Sequence, residues 1–200
     1  MMNSIFKKII IATTNKGKYQ EFVYLIKNLS QNFADEIIFA PEISKLLVEE
    51  TGKTYSENAI LKARAWSEKS GLTCLADDSG LEVEALNGAP GLFSARIIKG
   101  SDYEKNKWLL NELRNNQNRN AKFKAAIAIA IPNKEILVCE GECKGRISES
   151  IMGENGFGYD PVFIPDGFDK SFAELDSQTK NLISHRADAF KKIFRKYRII

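Results

Sequence analysis

The sequence predicts an α/β fold, a mixed central sheet with flanking helices, formed as one domain over residues 1–200. Three observations predict it. Short continuous apolar runs, Ile9-Ile10-Ile11-Ala12 and Leu72 to Ala76, suit strands buried on both faces of a helix-covered sheet. Between them, Phe22, Leu25, Ile26 and Leu29 recur at helical spacing. Further on, Phe123 to Ile131 alternates large and small apolar residues and runs into a Pro132-Asn133-Lys134 turn, the pattern of a hairpin.

Taken in order, Ile9 to Ala12 is the first strand and the Phe22–Leu29 stripe the first helix. Ile37 to Ala40 reads as a second strand. Thr54 and Glu57 have capping-box spacing, so a helix starts at Thr54, with Ile60, Ala63 and Trp66 on one face. Leu72 to Ala76 is a strand that delivers Asp77 and Asp78. Ser101 or Asp102 caps a helix carrying Trp108, Leu109 and Leu113. Asn115 to Asn120 is polar and reads as a loop. Glu135 to Glu142 pairs with the Phe123 strand, and Lys144 to Ser150 extends that antiparallel part. Asp160 to Ile164 is a short strand. Phe190, Ile193, Phe194 and Tyr197 mark a final amphipathic helix.

Composition narrows the classes. A hydrophobic content of 44% in regular runs indicates a folded globular chain. A net charge of +3 without a basic stripe argues against nucleic acid. No apolar run reaches the roughly 20 residues of a membrane span, and Met1 to Lys8 lacks the long apolar stretch of a signal peptide. The expected setting is cytoplasmic, without a membrane partner. Cys74, Cys139 and Cys143 are an odd set without paired spacing, so neither a disulfide framework nor zinc is expected. His185 is the single histidine.

The stretch Ala76 to Arg96 carries most of the chemistry. Adjacent carboxylates at a buried strand, followed by Ser79, Gly80 and a Gly-Ala-Pro-Gly turn, suit a hard divalent cation. Mg²⁺ is usually shared between one or two carboxylates and substrate phosphates. The TTNKGK loop lies between a strand and a helix. Its helix-start N–H groups and its lysines suit phosphate, though its spacing is not that of a Walker loop. Glu49 and Glu50 precede a Thr-Gly turn, and side chains of adjacent extended residues point opposite ways. If the strand persists through Asp77 and Asp78, only one of them faces the chemistry and the other takes the cap or turn-forming role common for aspartate. Phe157 between two glycines is hard to place in a core and can stack on a base. Asp160, before Pro161, can cap a turn or accept from a base or ribose.

Five blocks in order resemble the inosine triphosphate pyrophosphatase family, the non-canonical purine nucleoside triphosphate pyrophosphatases. They are TTNKGK at 13–18, EETGKTYSENAILKA at 49–63, DDSGL with GAPG and SAR at 77–96, GFGYDPVF at 156–163, and SHR at 184–186. The resemblance implies two lobes around a central substrate cleft, and a homodimer. It implies Mg²⁺-dependent hydrolysis of inosine, deoxyinosine and xanthosine triphosphates to the monophosphate and pyrophosphate. It puts Asp78 in the catalytic role and as a metal ligand, with Glu49 as the favoured second ligand. It implies substrate contacts from Thr13, Thr14, Asn15, Lys16, Gly17 and Lys18, from Ser79, and from Phe157, Gly158, Tyr159, Asp160, Lys180, His185 and Arg186. Thr14 stands where many relatives have glycine. A donor such as Arg186 or His185 facing the 6-oxo oxygen of the base would reject adenine. Rival readings are a pyrophosphatase for modified pyrimidines or methylated bases, and a nucleotide-binding regulator without turnover.

Overall fold

The computed structural model describes residues 4–29 and 32–197. Strands β1 (Phe6–Ile11), β2 (Ala34–Phe39), β3 (Thr73–Val83), β4 (Asn120–Ala130), β5 (Leu137–Ile147) and β6 (Phe163–Pro165) form one sheet in the order β2-β1-β3-β4-β5-β6. Its helices are α1 (Lys16–Leu29), α2 (Ala40–Ile43), α3 (Tyr55–Ser70), α4 (Asp102–Glu112), α5 (Ser177–Ile183) and α6 (His185–Tyr197). The sheet is mixed, as expected. β1 runs parallel to β2 and to β3, with Ile10 opposite Ile38 and Cys74, whereas β5 and β6 are antiparallel. Ile9, Ile10 and Ile11 are wholly buried, the state their unbroken apolar run predicts for an inner strand.

The chain divides into two compact units, exchanging at Asp78/Ser79, Lys124/Ala125, Gly141/Glu142 and His185/Arg186. The first has its core in Ile9, Ile11, Phe22, Leu25, Ile26, Leu75, Ile127 and Ile129. Phe33, Phe190 and Phe194 close it as a mutually contacting aromatic trio with centroids 4.7–5.7 Å apart. The second centres on Leu81, Val83, Leu109, Leu113, Phe123, Val162, Phe163 and Phe172.

Local signals placed most boundaries. Thr54 caps α3 by accepting from Glu57 N–H at 3.1 Å, but Glu57 reaches back to Lys53 N–H instead of closing the box on Thr54. Ser101 caps α4 with a full capping box to Glu104. Two strand expectations are corrected by proline. β2 stops at Phe39, and Ala40 and Pro41 open α2. Asp160-Pro161-Val162 is a 3₁₀ turn, leaving only Phe163–Pro165 as strand. Proline withholds a ladder N–H and presets the φ of a first helical turn. The third correction matters more. The strand expected to end at Ala76 continues through Asp77, Asp78, Ser79 and Gly80 to Val83.

Cys74 lies wholly buried in β3. Burial pushes its thiol up to about 12, against a small opposing contribution from the Ser70 hydroxyl. It should resist a disulfide reagent at pH 8 until the chain is unfolded, because the thiolate is the reactive species. Peptide mapping after native and denatured labelling checks this; equal labelling in both states would contradict the burial.

Candidate active site

Site chemistry in the first unit starts at the α1 N-terminus. Asn15 Oδ1 accepts from Lys18 N–H at 3.0 Å, and Thr13 Oγ1 accepts from Asn15 N–H at 3.1 Å. These bonds make Asn15 the helix cap and leave Thr14, Asn15 and Lys16 exposed beside a helix start, an arrangement that attracts anions. Gly17 is half-buried within the first turn.

Strand alternation gives the two aspartates separate partners. Asp77, 2% exposed, accepts from Arg186 Nε at 3.1 Å and pairs with Lys18 Nζ at 3.1 Å; Arg186 also donates to Glu21 Oε2 at 2.9 Å. Two carboxylates and two cations thus neutralise each other in the interior. Burial alone would raise the Asp77 pKa. Lys18 and Arg186 outweigh it and hold the carboxyl far below the ordinary carboxylate range. The sequence reading gave whichever aspartate faced away from the chemistry a turn-forming role. Asp77 is instead the centre of a buried ion cluster.

Asp78 has different company. Asn58 Nδ2 donates to its Oδ2 at 2.9 Å, and Lys62 Nζ stands 3.8 Å from its Oδ1 and 2.6 Å from Glu50 Oε1. Asn58 also accepts from Gly52 N–H at 2.8 Å, so one buried amide ties the loop after Glu50 to the aspartate. Burial raises the Asp78 pKa, with Lys62 and Asn58 opposing that rise. Glu50 is the half-buried member of the Glu49–Glu50 pair that reaches this cluster, and Glu49 is exposed. The oxygens of Asp78 and Glu50, gathered around one ammonium, are the donor chemistry that Mg²⁺ takes. Among the described residues no three His, Cys, Asp or Glu side chains form a complete cage. A pair is the share left to protein when phosphates and water supply the rest.

The second unit holds the aromatic part of the expected site. Phe157 is half-buried, and Lys180 Nζ sits 4.7 Å from its ring centroid and 5.7 Å from that of Phe172. Lys180 is 7% exposed and paired with Asp160 Oδ2, which also accepts from Phe157 N–H at 2.8 Å. A Cβ on Gly156 would run into that same carboxylate. Tyr159 is buried and donates to Ser94 C=O at 3.1 Å; burial, with Asp102 adding to it, raises its pKa. His185 is buried and stacked on Phe123, with centroids 4.8 Å apart and planes 11° from parallel. Ser79 is half-buried in β3. The SAR block turns out to be a staple: Ser94 Oγ accepts from Leu81 N–H and donates to Gly91 C=O.

The site residues predicted from sequence therefore fall into two sets. Thr13 to Lys18, Glu49, Asp78 and Arg186 belong to the first unit; Ser79, Phe157 to Asp160, Lys180 and His185 belong to the second. Arg186, expected at the base, spends Nε and one terminal nitrogen on Asp77 and Glu21. Sequence reading missed Glu21, Asn58 and Lys62. A signal existed for each. Glu21 sits next to Phe22 on the buried face of α1, and Asn58 and Lys62 lie one turn apart on α3.

Known proteins resemble this chain over nearly its whole length. The Ham1 family model matches residues 9–196. A dITP/XTP pyrophosphatase of Bacillus licheniformis is 44% identical over 193 residues, covering 94% of this chain and 96% of that protein. The Staphylococcus aureus Ham1 protein superposes with a TM-score of 0.82 at 41% identity, covering 96% of this chain and 98% of the other. A HAM1 protein from Coxiella burnetii superposes with a TM-score of 0.83 at 38% identity, covering 96% and 99%. With its five sequence blocks, its mixed sheet and these matches over nearly its whole length, the chain belongs to the Ham1 family, the inosine triphosphate pyrophosphatases.

Proposed function

We propose that this nucleoside triphosphate pyrophosphatase hydrolyses inosine, deoxyinosine and xanthosine triphosphates to the monophosphate and pyrophosphate, clearing deaminated purines from the nucleotide pool. The observation that carries the reading is the Asp78–Lys62–Glu50 cluster, a carboxylate pair around one cation in the unit that also holds the α1 N-terminus. Asp78 orients the attacking water and accepts its proton. The water oxygen bonds to the α-phosphorus, and the α–β bridging oxygen leaves with pyrophosphate. Lys16, Lys18 and the N–H groups of Thr14, Lys16 and Gly17 hold the phosphates in line, and positioning supplies much of the rate. Asp78 with Glu50, or with its neighbour Glu49, would hold Mg²⁺. Bound there, the ion would neutralise phosphate charge and lower the pKa of water.

In the second unit, Phe157 stacks on the purine. Lys180, fixed by Asp160, offers the 6-oxo oxygen a donor, with His185 beside the same aromatic cluster. Adenine presents an amino group there and leaves that donor badly paired, which is an effective basis for rejection. On the family reading the enzyme is a cytoplasmic homodimer acting on small nucleotides, without nucleic-acid or membrane partners. Among the described residues no helix is long and apolar enough to cross a membrane.

The test is a panel of nucleoside triphosphates with Mg²⁺, assayed separately for pyrophosphate and orthophosphate. Pyrophosphate from the inosine and xanthosine compounds, with little from ATP or GTP, is expected. Orthophosphate as the first product would place the attack on the wrong phosphorus, and binding without turnover would favour the regulator.

A further inference from the structure

We propose that Asp102 and Asn106 are positioning residues for base recognition, clamping both backbone groups of Gly158 and so fixing where the Phe157 ring stands. The inference rests on the reading that Phe157 receives the base. Both residues lie outside the five sequence blocks, one turn apart on α4. Asp102 Oδ2 accepts from Gly158 N–H at 2.6 Å, and Asn106 Nδ2 donates to Gly158 C=O at 2.9 Å. One loop residue therefore has its donor and its acceptor both engaged by a single helix.

The geometry around the clamp gives it a purpose. Gly158 joins Phe157 to Tyr159 with φ +63°, and a Cβ there would meet open space, so glycine serves the dihedral and not the room. A cavity of about 540 Å³ lies against this stretch, lined by Asp102, Asn106, Gly156, Phe157 and Gly158 among others. Close packing does not fill that side of the loop, so hydrogen bonds hold it. Asp160 secures the turn from within, through Phe157 N–H and Lys180. Asp102 and Asn106 secure it from α4. Each clamp residue is itself held. Lys105 Nζ lies 3.2 Å from the other Asp102 oxygen, Asn106 is 1% exposed, and α4 starts in a capping box. A stacking platform works only at a set height and tilt, and a misplacement of about 1 Å is costly. Charged and buried hydrogen bonds to Gly158 supply that constraint.

Three variants test this: Asp102→Leu, Asn106→Ala and Asp102→Asn. The first two should raise KM for inosine triphosphate about tenfold, the size expected for losing a buried or charged hydrogen bond, and leave kcat within about twofold. Asp102→Asn keeps an acceptor and should return KM close to wild type. Amide exchange at Gly158, followed by NMR, should speed up at least about tenfold in Asp102→Leu. Should Asp102→Leu fail to fold, Asn106→Ala and Asp102→Asn still decide. An unchanged KM in Asn106→Ala, or in Asp102→Leu where it folds, overturns the proposal, whether or not Gly158 exchanges faster. So does a parallel fall in kcat and melting temperature, which would make the contacts merely structural. A wild-type chain that turns over no nucleotide would defeat the functional reading instead, and Gly158 exchange would still report on the clamp.

Discussion

Asp78→Asn should lower kcat for inosine triphosphate about a thousandfold, within the range that a positioned proton acceptor contributes, without lowering the melting temperature. Both halves follow from its surroundings. Asparagine keeps the shape and an acceptor for Asn58, so the link through Gly52 survives. What disappears is a carboxylate whose pKa is raised by burial despite Lys62 and Asn58. A carboxyl group with a raised native pKa binds its proton more tightly folded than unfolded. Its ionisation therefore erodes stability as pH rises from the unfolded value through the native one. Removing it removes that erosion, so neutral-pH stability should hold or improve. Steady-state kinetics beside thermal melts give both quantities. An inactive variant that also melts far lower would make Asp78 structural. An acid limb of the pH–rate profile unchanged in Asp78→Asn would contradict proton acceptance by this group.

The opposite pattern is expected one residue earlier. Arg186→Leu should destabilise the protein by about 3–5 kcal/mol, the cost of leaving buried charge unpaired, or roughly 10 °C in melting temperature for a chain of this size. Asp77 and Glu21 would lose the guanidinium that bridges them, leaving Lys18 alone against two carboxylates. The pH dependence has a definite sign. The native pKa of Asp77 is depressed, so its contribution is complete above the unfolded value of about 4 and is lost as pH falls from there through the native value. The gap between wild type and Arg186→Leu should close in acid. Adding Asp77→Asn to Arg186→Leu should recover part of the loss at neutral pH. Urea unfolding of the three proteins at pH 7 and below pH 4 provides the comparison. An Arg186→Leu protein as stable as wild type at pH 7 would show that the cluster does not hold this unit together.

The contrast between Asp77 and Asp78 shows where sequence stops being legible. Strands, caps and the last amphipathic helix were readable because apolar period and capping chemistry are local: Ser101, Thr54 and the Phe190–Tyr197 stripe each announce themselves within a few residues. That two adjacent aspartates face different partners was also readable, from the alternation of any strand. The identity of those partners was not. Arg186 lies 109 residues from Asp77 and 165 from Glu21, and no local pattern encodes such a meeting. The same holds for Lys180. Its type argues for solvent, yet it is buried because Asp160, 20 residues away, neutralises it. That Lys62 meets Glu50 was not readable for a simpler reason. Which of two neighbours turns inward depends on loop geometry, and Gly52 held by Asn58 sets that geometry.

The first unit is assembled from three separated stretches, residues 1–78, 125–141 and 186–200, and this arrangement constrains synthesis. A ribosome delivers the chain in order, at about 5–20 residues per second. While residues 84 to 185 are still emerging, the residues of β1, α1 and β3 have been made without the Phe190–Phe194 pair that closes their core. Asp77 and Glu21 are likewise made long before Arg186. The nascent chain therefore carries an open apolar face, and two carboxylates with Lys18 alone against them, until α6 arrives. The second unit, whose stretches run from 79 to 124 and 142 to 185, has all its residues in hand first. In this protein the order of translation hands completion of the first unit to the final helix, and a chain stalled before it is exposed to chaperones and proteases with that unit's core unclosed.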